Sequence, residues 1–461
     1  MTPKVTDAAI QQIHVVGIGG KGMSAIAAAL LDLGKVVSGS DLKLSPQAKR
    51  LQARGAHIYQ GHDPSHVRNA DMVIHSSAIK PENPELMESR ALNQPIASRA
   101  TVIADLFNGR WGIAVAGTHG KTTTAAMVST ILREAGLAPS FLIGADVPSL
   151  GNLNGHIDSG RWMVLEADEF DDAFLSYRPK IAVLTHLEPD HLDHFKTTER
   201  MIDAFKQFVG NMPADTPLIA RRDIPLVRAV AETHHREVQW FGPGSDWRIA
   251  RHEVGTPGPT LHIHGPDGTV IVTMQVPGRH NALNALAAIV VAAQAGIEPS
   301  LAAAALEKYR GAERRLQLRQ RTHAISIYED YAHHPTAIRA SLQAVRELKP
   351  GRVIAVYQPL LQSRTRDLFN EFLDAFEAAD HIFLAEIYSP PGREAPIDIQ
   401  SADLANAINH PRVEALNSFD VIVDRVLDTA TCGDLILVMG PESVTPIADL
   451  LVAKLDQRPT T

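Results

Sequence analysis

The chain has one cysteine in 461 residues, Cys432. That excludes an intrachain disulfide framework and suits a reducing compartment, so the cytoplasm is the expected location. No stretch approaches the ~20 apolar residues of a membrane span, and the opening Met1-Thr2-Pro3-Lys4-Val5-Thr6-Asp7 carries no apolar signal segment. Basic residues do not dominate either. Lys plus Arg number 44 against 52 for Asp plus Glu, a net charge of −8, which argues against nucleic acid or an acidic membrane surface as partner. Internal repeats and low-complexity tracts are also missing. The length suits about three domains, each able to bury its own core.

The sequence turns informative at Ala116-Gly117-Thr118-His119-Gly120-Lys121-Thr122-Thr123-Thr124. Before it, Trp111 to Val115 is short, apolar and rich in β-formers, which predicts a buried strand. After it, Ala125 to Leu132 is apolar on a helical period, which predicts a helix. A strand, a Gly-bounded loop with one lysine and several hydroxyls, then a helix start is a grip for a nucleoside triphosphate. Backbone N–H groups and the positive helix end hold phosphates, Lys121 reaches the β/γ oxygens, and the Thr122 hydroxyl ligates Mg²⁺. The usual Walker spacing asks for Gly at position 115, where Val115 stands. The loop is the tighter form running from Gly117 to Thr123.

A second glycine loop lies near the start. Ile13 to Val16 reads as a strand, Gly17-Ile18-Gly19-Gly20-Lys21-Gly22 follows, then a helix from Met23 and a strand ending at Ser40-Asp41. This matches G-x-G-x-x-G with an acid after the next strand, so a diphosphate is expected on the helix N-terminus. The pattern does not choose the nucleotide: NAD is the generic expectation, and a UDP-sugar would use the same physics. Further strands are expected at Ala56 to Tyr59 and Met72 to Ile74. His62 and Ser76-Ser77 stand where open α/β sheets bind ligands, and also where ordinary loop surface lies.

Two strand ends in the middle of the chain carry metal-capable side chains. Trp162 to Leu165 leads into Glu166-Ala167-Asp168-Glu169-Phe170-Asp171-Asp172, and Ile181 to Leu184 leads into Thr185-His186-Leu187-Glu188-Pro189-Asp190-His191-Leu192-Asp193-His194. Beside a triphosphate, such ends are expected to hold Mg²⁺, although not every member can be a ligand. Further on, Gly278-Arg279-His280-Asn281-Ala282-Leu283-Asn284 opens an alanine-rich helix. Its two asparagines could read a base edge or cap the helix.

Taken in order, these motifs resemble the Mur ligase family over nearly the whole chain. Further markers are Pro277 to Asn281, Arg314-Arg315, Asp330-Tyr331-Ala332-His333-His334-Pro335-Thr336, and Gln358-Pro359 followed by Ser363-Arg364-Thr365. The likeness is strongest to members that join L-alanine to UDP-N-acetylmuramate. It implies ATP-dependent amide synthesis through an acyl phosphate, with ATP, UDP-N-acetylmuramate and L-alanine as small-molecule partners. No nucleic acid or membrane partner is expected, and the chain is expected as a monomer or weak homodimer. The implied fold is α/β in three domains: a Rossmann-like UDP-sugar domain (1–107), a P-loop ATPase-type ATP domain (108–318) and a Rossmann-like amino-acid domain (319–461).

By that resemblance, Gly117, Thr118, His119, Gly120, Lys121, Thr122 and Thr123 hold the triphosphate. Asn281 and Asn284 lie at the adenine, Asp330 near the ribose, and Arg315 at the γ-phosphate. Two Mg²⁺ ions are implied, one on Thr122 and Glu166 and one on His191. Gly17, Gly19, Gly20, Gly22, Met23, Ser24, Asp41, His62 and Ser76 hold the UDP-sugar. Lys121, His191, His333 and Arg364 are the implied catalytic set, with His333 and Arg364 on the amino-acid side. His334 reads as a cap of the following helix.

Some positions depart from the family pattern. His186 stands where Asn is usual, Phe170 replaces a common Ser, Leu360-Leu361 follow Gln358-Pro359 where His-Arg or His-Leu is usual, and Gly440-Pro441-Glu442-Ser443 replaces a Gly-Ala-Gly turn. Leu360-Leu361 and the altered Gly440 turn leave a relative that binds without turnover as an alternative, and the length and the Arg314-Arg315-Leu316-Gln317-Leu318-Arg319 region leave a tripeptide-adding recycling ligase as another. Lys206, 15 residues past His191, could match the carbamylated lysine of other members or sit on a helix surface. Strands at Ile325 to Tyr328, Arg352 to Tyr357, Ile382 to Leu384 and Leu435 to Met439 predict another doubly wound sheet in the last domain.

Overall fold

The computed structural model describes residues 3–234, 237–322, 324–390 and 393–457, and of Phe170, Asp171, Leu192 and Asp193 the backbone alone. The first sheet follows from alternation of short apolar strands with helices. Its members are β1 (Gln12–Val16), α1 (Lys21–Asp32), β2 (Val36–Asp41), α2 (Pro46–Ala53), β3 (His57–Gln60), β4 (Met72–His75), α3 (Pro84–Ala91), β5 (Ile96–Ser98) and α4 (Arg99–Asn108). All five strands are parallel in the order β3-β2-β1-β4-β5. The order reverses between β1 and β4, and in such sheets ligands bind beyond the strand C-termini at that reversal. Starts are capped as local chemistry dictates: Ser45 accepts from Ala48 N before Pro46, and Ser98 accepts from Thr101 N.

The second sheet carries β6 (Trp111–Ala116), α5 (Lys121–Glu134), β7 (Ser140–Val147), β8 (Leu153–His156), β9 (Trp162–Glu166), β10 (Ile181–Leu184), β11 (Leu218–Arg221) and β12 (Val238–Phe241). Its order is β12-β11-β10-β6-β9-β7-β8, with only β8 antiparallel to its neighbour. The central strand β6 is buried from Gly112 to Ala116, as its apolar run requires. Three more strands follow, β13 (Arg248–Glu253), β14 (Thr260–Gly265) and β15 (Gly268–Thr273).

The last sheet contains β16 (Gln317–Thr322), β17 (Ile325–Asp330), β18 (Val353–Tyr357), β19 (His381–Ala385), β20 (Val413–Leu416) and β21 (Leu435–Met439), ordered β16-β17-β21-β18-β19-β20. Only β16 runs antiparallel. The fold class is thus α/β with parallel-rich sheets, as expected. The expected junction at 318/319 needs correction, because it cuts through β16. That strand is laddered to β17 from Gln317 to Thr322, so we propose the junction before Gln317.

By packing, the chain forms two compact units, Met1–Ile249 with Ile263–Val270 and Asn284–Lys308, and Ala250–His262 with Ile271–Leu283 and Tyr309–Thr461. In the first unit one apolar core runs beneath both large sheets, from Ile26 and Leu30 of α1 to Phe205 and Phe208. α1 is fastened to β8 at both ends. Asn154 Nδ2 donates to Lys21 O at 3.0 Å, while Asp32 Oδ2 accepts from Ile157 N at 2.9 Å and lies 2.7 Å from His156 Nδ1. Between them Gly155 has no room for a Cβ, because the backbone of Ala25 passes against it. Among the described residues, no helix is long and apolar enough to cross a membrane.

Candidate active site

The loop after β6 has the form its sequence demands. Gly117 (φ 134°) and Gly120 (φ 83°) occupy the left-handed region, and a Cβ on either would collide. At Gly117 it would lie 2.7 Å from His186 O, and at Gly120 2.6 Å from Asn284 Oδ1. Thr118 closes the loop against the β10 end, its N–H donating to His186 O at 2.7 Å. Thr185 Oγ1 reaches His119 O at 2.6 Å, and His119 Nε2 pairs with Glu188. Thr122 and Thr123 are buried in the first turn of α5.

β6 lies between β9 and β10, so the ends of both neighbours flank this loop, as the sequence reading expected of two metal-capable ends. From β9, Glu166 accepts from Gly144 N at 2.7 Å through Oε2 and from Thr122 Oγ1 at 2.9 Å through Oε1. Its carboxylate is therefore aimed at the hydroxyl expected to share its metal. Lys121 Nζ is bound to Glu169, at 2.7 and 2.9 Å from the two carboxylate oxygens, and donates to Gly117 O. Burial works against the ammonium, but Glu169, Asp168 and Glu166 outweigh it and hold its pKa above the ordinary lysine value. From β10, His191 sits at φ 53°, its N–H donating to Asp190 Oδ1 at 2.7 Å. A non-glycine residue held there is strained, and such strain gathers at functional sites. The Asp171 part of the acidic run lies outside the described side chains.

The other glycine loop is also built. Asp41 Oδ2 accepts from Gly19 N at 2.9 Å, and Ser45 Oγ donates to Gly19 O at 2.9 Å. Asp41 thus braces the loop as well as standing beside it. Ser76 lies against Gly17, where a Cβ would be 3.4 Å from its hydroxyl. Gly20 is the N-cap of α1. Met23 and Ser24, expected as UDP-sugar ligands, are turned inward: both are buried, and Ser24 Oγ bonds Lys21 O at 3.0 Å. The Ser24 N–H is also taken, by Gly20 O at 2.8 Å. His62 lies beyond β3, its Nδ1 2.8 Å from Glu85 and 3.0 Å from Ser40.

In the second unit, Asp330 closes β17 and accepts from Leu316 N at 2.8 Å and Ala332 N at 2.7 Å. Burial pushes its carboxyl up, partly offset by Arg315 and these N–H groups. Arg314 and Arg315 both lie over the Tyr331 ring, at 5.1 and 5.0 Å. Arg314 (φ 56°) and Leu316 (φ 47°) are again left-handed. His333 Nδ1 lies 2.9 Å from Tyr331 O. A carbonyl can only accept, so Nδ1 carries a proton in that contact. Tyr357 Oη donates to His333 O at 3.2 Å, and the Arg364 charge acts on the same tyrosine. Arg364 is buried, on a short helix entered through Leu361 at φ 66°. His334 caps the next helix by accepting from Thr336 N, as expected. Asn281, expected at the adenine or as a cap, lies inside the first turn of the helix Arg279–Gln294 and donates its amide to Pro277 O at 2.7 Å; Asn284 is the one set against the phosphate loop.

Three residues escaped the sequence reading. Glu169 stood in an acidic run with no way to choose its partner. Arg99 opens α4 without any motif, yet its guanidinium lies over Gly22, where a Cβ would be 2.6 Å from Nη1, and its Nη2 is 3.3 Å from Asp168. Glu85 follows a proline, between Glu82 and Glu88, with no motif to single it out. Lys206 pairs with Asp203 one helical turn away at 3.7 Å with its side chain 36% exposed, which fits the surface reading.

Fold and site together describe an α/β chain with two glycine loops in one unit, each ahead of a helix N-terminus, the arrangement that suits phosphate groups. Family models match in sequence order: the Mur ligase family catalytic domain at residues 12–111, the Mur ligase middle domain at 115–292 and the Mur ligase glutamate ligase domain at 314–441. The chain belongs to the Mur ligase family. It is 41% identical to the UDP-N-acetylmuramate–L-alanine ligase of Paenarthrobacter aurescens (strain TC1) over 449 residues, 96% of this chain and 97% of that protein. Among solved structures it resembles the UDP-N-acetylmuramate–alanine ligase of Thermotoga maritima, with a TM-score of 0.82, 24% identity, and 97% and 99% coverage. It also resembles a murein peptide ligase of Psychrobacter arcticus 273-4, with a TM-score of 0.72, 26% identity, and 98% and 100% coverage.

Proposed function

We propose that this chain is an ATP-dependent amide-forming ligase of cytoplasmic peptidoglycan precursor synthesis. It joins L-alanine to the lactyl carboxylate of UDP-N-acetylmuramate through an acyl phosphate. The 41% identity to the Paenarthrobacter ligase across 96% of the chain carries this reading. A carboxylate attacking a triphosphate is anion meeting anion, so the site must supply positive charge. Lys121 supplies one, at the start of α5 directly after the Gly117–Gly120 loop. Thr122 and Glu166 offer the hard oxygen donors that suit Mg²⁺, already 2.9 Å apart. When bound there, the ion supplies charge neutralisation and phosphate orientation. His191 is proposed for a second Mg²⁺ on resemblance, since imidazole is a poorer match to that ion.

The amine arrives as ammonium and must lose a proton before it attacks. His333 holds its own proton on Nδ1 against Tyr331 O, which leaves Nε2 as the base. Arg364 is the charge partner for the amino-acid carboxylate. Phosphate release from ATP in the presence of UDP-N-acetylmuramate tests the proposal. It should require L-alanine for turnover, and release that no amino acid stimulates would overturn it. Sedimentation at assay concentration should show a monomer or weak homodimer.

The second reading is a ligase that adds a murein tripeptide. It is favoured by the likeness to the Psychrobacter murein peptide ligase and by the similar Arg314-Arg315-Leu316-Gln317-Leu318-Arg319 region. Tripeptide in place of L-alanine in the same assay separates the two. A binding protein without turnover is disfavoured, because Lys121, Glu166, His191, His333 and Arg364 are all present.

A further inference from the structure

Glu85 is wholly buried. Asn83 and Pro84 start α3 so that Glu85 falls in its first turn, where Asn83 Oδ1 accepts from Glu85 N at 2.9 Å. Its carboxylate gathers hydrogen bonds from other parts of the first sheet. Ser40 Oγ donates to Oε2 at 2.6 Å, His62 Nδ1 lies 2.8 Å from the same oxygen, and His66 Nδ1 lies 2.7 Å from Oε1. His14 Nε2 comes within 3.5 Å, and His66 stacks on Tyr59 at 3.9 Å. Burial alone would raise the carboxyl, yet His14, Ser40 and His66 bring its pKa down to about 2. At neutral pH the group is ionised.

An ionised carboxylate has no proton to give. The His62 proton in that contact must therefore sit on Nδ1 and be donated to Glu85, and the Ser40 oxygen 3.0 Å away can share it. In the neutral ring this leaves Nε2, on the edge facing away from Glu85, as an acceptor. The His62 side chain is 14% exposed, beyond the C-terminal end of β3. β3 and β2 form the side of the sheet toward which a nucleoside extends when its diphosphate sits on the loop after β1.

We propose that Glu85 is a specificity-determining positioning residue: it holds the His62 proton on Nδ1, so that Nε2 accepts from the N3–H of uracil and disfavours a base whose N3 is itself an acceptor, such as cytosine. This rests on reading the Gly17–Gly22 loop as the UDP-sugar site. A site that must accept a hydrogen bond rejects the analogue lacking the donor, because a polar group is then left unpaired.

Two readouts on the full chain test it. Nitrogen–proton correlation NMR on ¹⁵N-histidine protein should show His62 protonated at Nδ1. Competition with UDP-N-acetylmuramate should show UDP binding at least about tenfold more tightly than CDP. In Glu85→Gln the side-chain amide can donate to Nδ1 and move the ring proton to Nε2. The UDP-to-CDP ratio should then collapse toward one, together with the changed His62 signal. If Glu85→Gln does not fold, His62→Ala carries the test and should also bring the ratio near one. An Nε2-protonated His62 in the unmodified chain, or a ratio that survives these substitutions, overturns the inference. If neither nucleotide competes with the UDP-sugar, the reading of the loop fails instead, and the NMR result still reports on Glu85 separately.

Discussion

Lys121 and Glu169 form a two-pronged ion pair with the lysine anchored on Gly117 O, so the phosphate-loop cation is positioned by the strand end beside it. The Glu169 side chain is 1% exposed, and stranding a buried charge costs ~3–5 kcal/mol. Lys121→Ala should therefore lower stability by that order and cut ATP-dependent turnover about a hundredfold or more, while UDP-sugar still binds. Lys121→Met combined with Glu169→Leu should regain much of the stability and none of the turnover. Urea unfolding and ADP release separate the two effects; unchanged turnover in Lys121→Ala would sink the phosphate-loop reading.

Glu166 is held by Gly144 N with its other oxygen on Thr122. Glu166→Gln preserves the shape and removes the charge. The Mg²⁺ concentration for half-maximal phosphate release should rise by about tenfold or more. A titration curve that does not move removes Glu166 from the metal.

Arg99 leans from α4 over the first glycine loop toward Asp168. A guanidinium there suits a diphosphate or a developing acyl phosphate. Arg99→Ala should raise the UDP-N-acetylmuramate KM about tenfold, with the ATP KM nearly unchanged. Equal rises in both would mean a general loss of structure.

Arg364→Ala should raise the amino-acid KM steeply and leave acyl-phosphate formation intact, as read by positional isotope exchange in ATP. Loss of that exchange would assign the residue to the phosphate. His333→Ala should slow amide formation, less so as pH rises and free amine becomes available. A defect independent of pH would argue against a proton acceptor.

His186 is pushed down to about 4, first by burial, with Arg221 adding to the shift and Glu188 and Asp223 opposing it. The unfolded chain binds that proton near pH 6.5, and the folded chain only near 4. Stability is therefore lost as pH falls through that interval. His186→Asn, the residue usual in the family, should lose less stability between pH 7 and pH 5 in urea melts. An equal loss would place the acid sensitivity elsewhere.

Both glycine loops were legible because backbone geometry and spacing define them: Gly117 and Gly120 are left-handed where the motif needs it. The strands that deliver Glu166 and His191 were legible as short apolar runs ending in carboxylates and imidazoles. The edge strands β16 and β20 were not, since Gln317–Thr322 and Val413–Leu416 are half-exposed and lack a full apolar face. Nor could spacing show that Met23 and Ser24 face inward, or that Asn281 donates to Pro277 O. Glu85, Arg99 and Glu169 act through partners distant in sequence. Glu85 meets Ser40 across 45 positions, and Lys121 meets Glu169 across 48.

The double attachment of α1 to β8 makes the first unit a calliper. One jaw is the glycine loop at the start of α1, and the other is the phosphate loop before α5, with a shared core as the spine. With that shared core between the loops, the span between the ligands proposed for them should change little. A single compound carrying both anionic ends on a stiff linker of that span would be ordered before it binds. It should gain the affinity of two sites with little of the entropy that a flexible tether gives up.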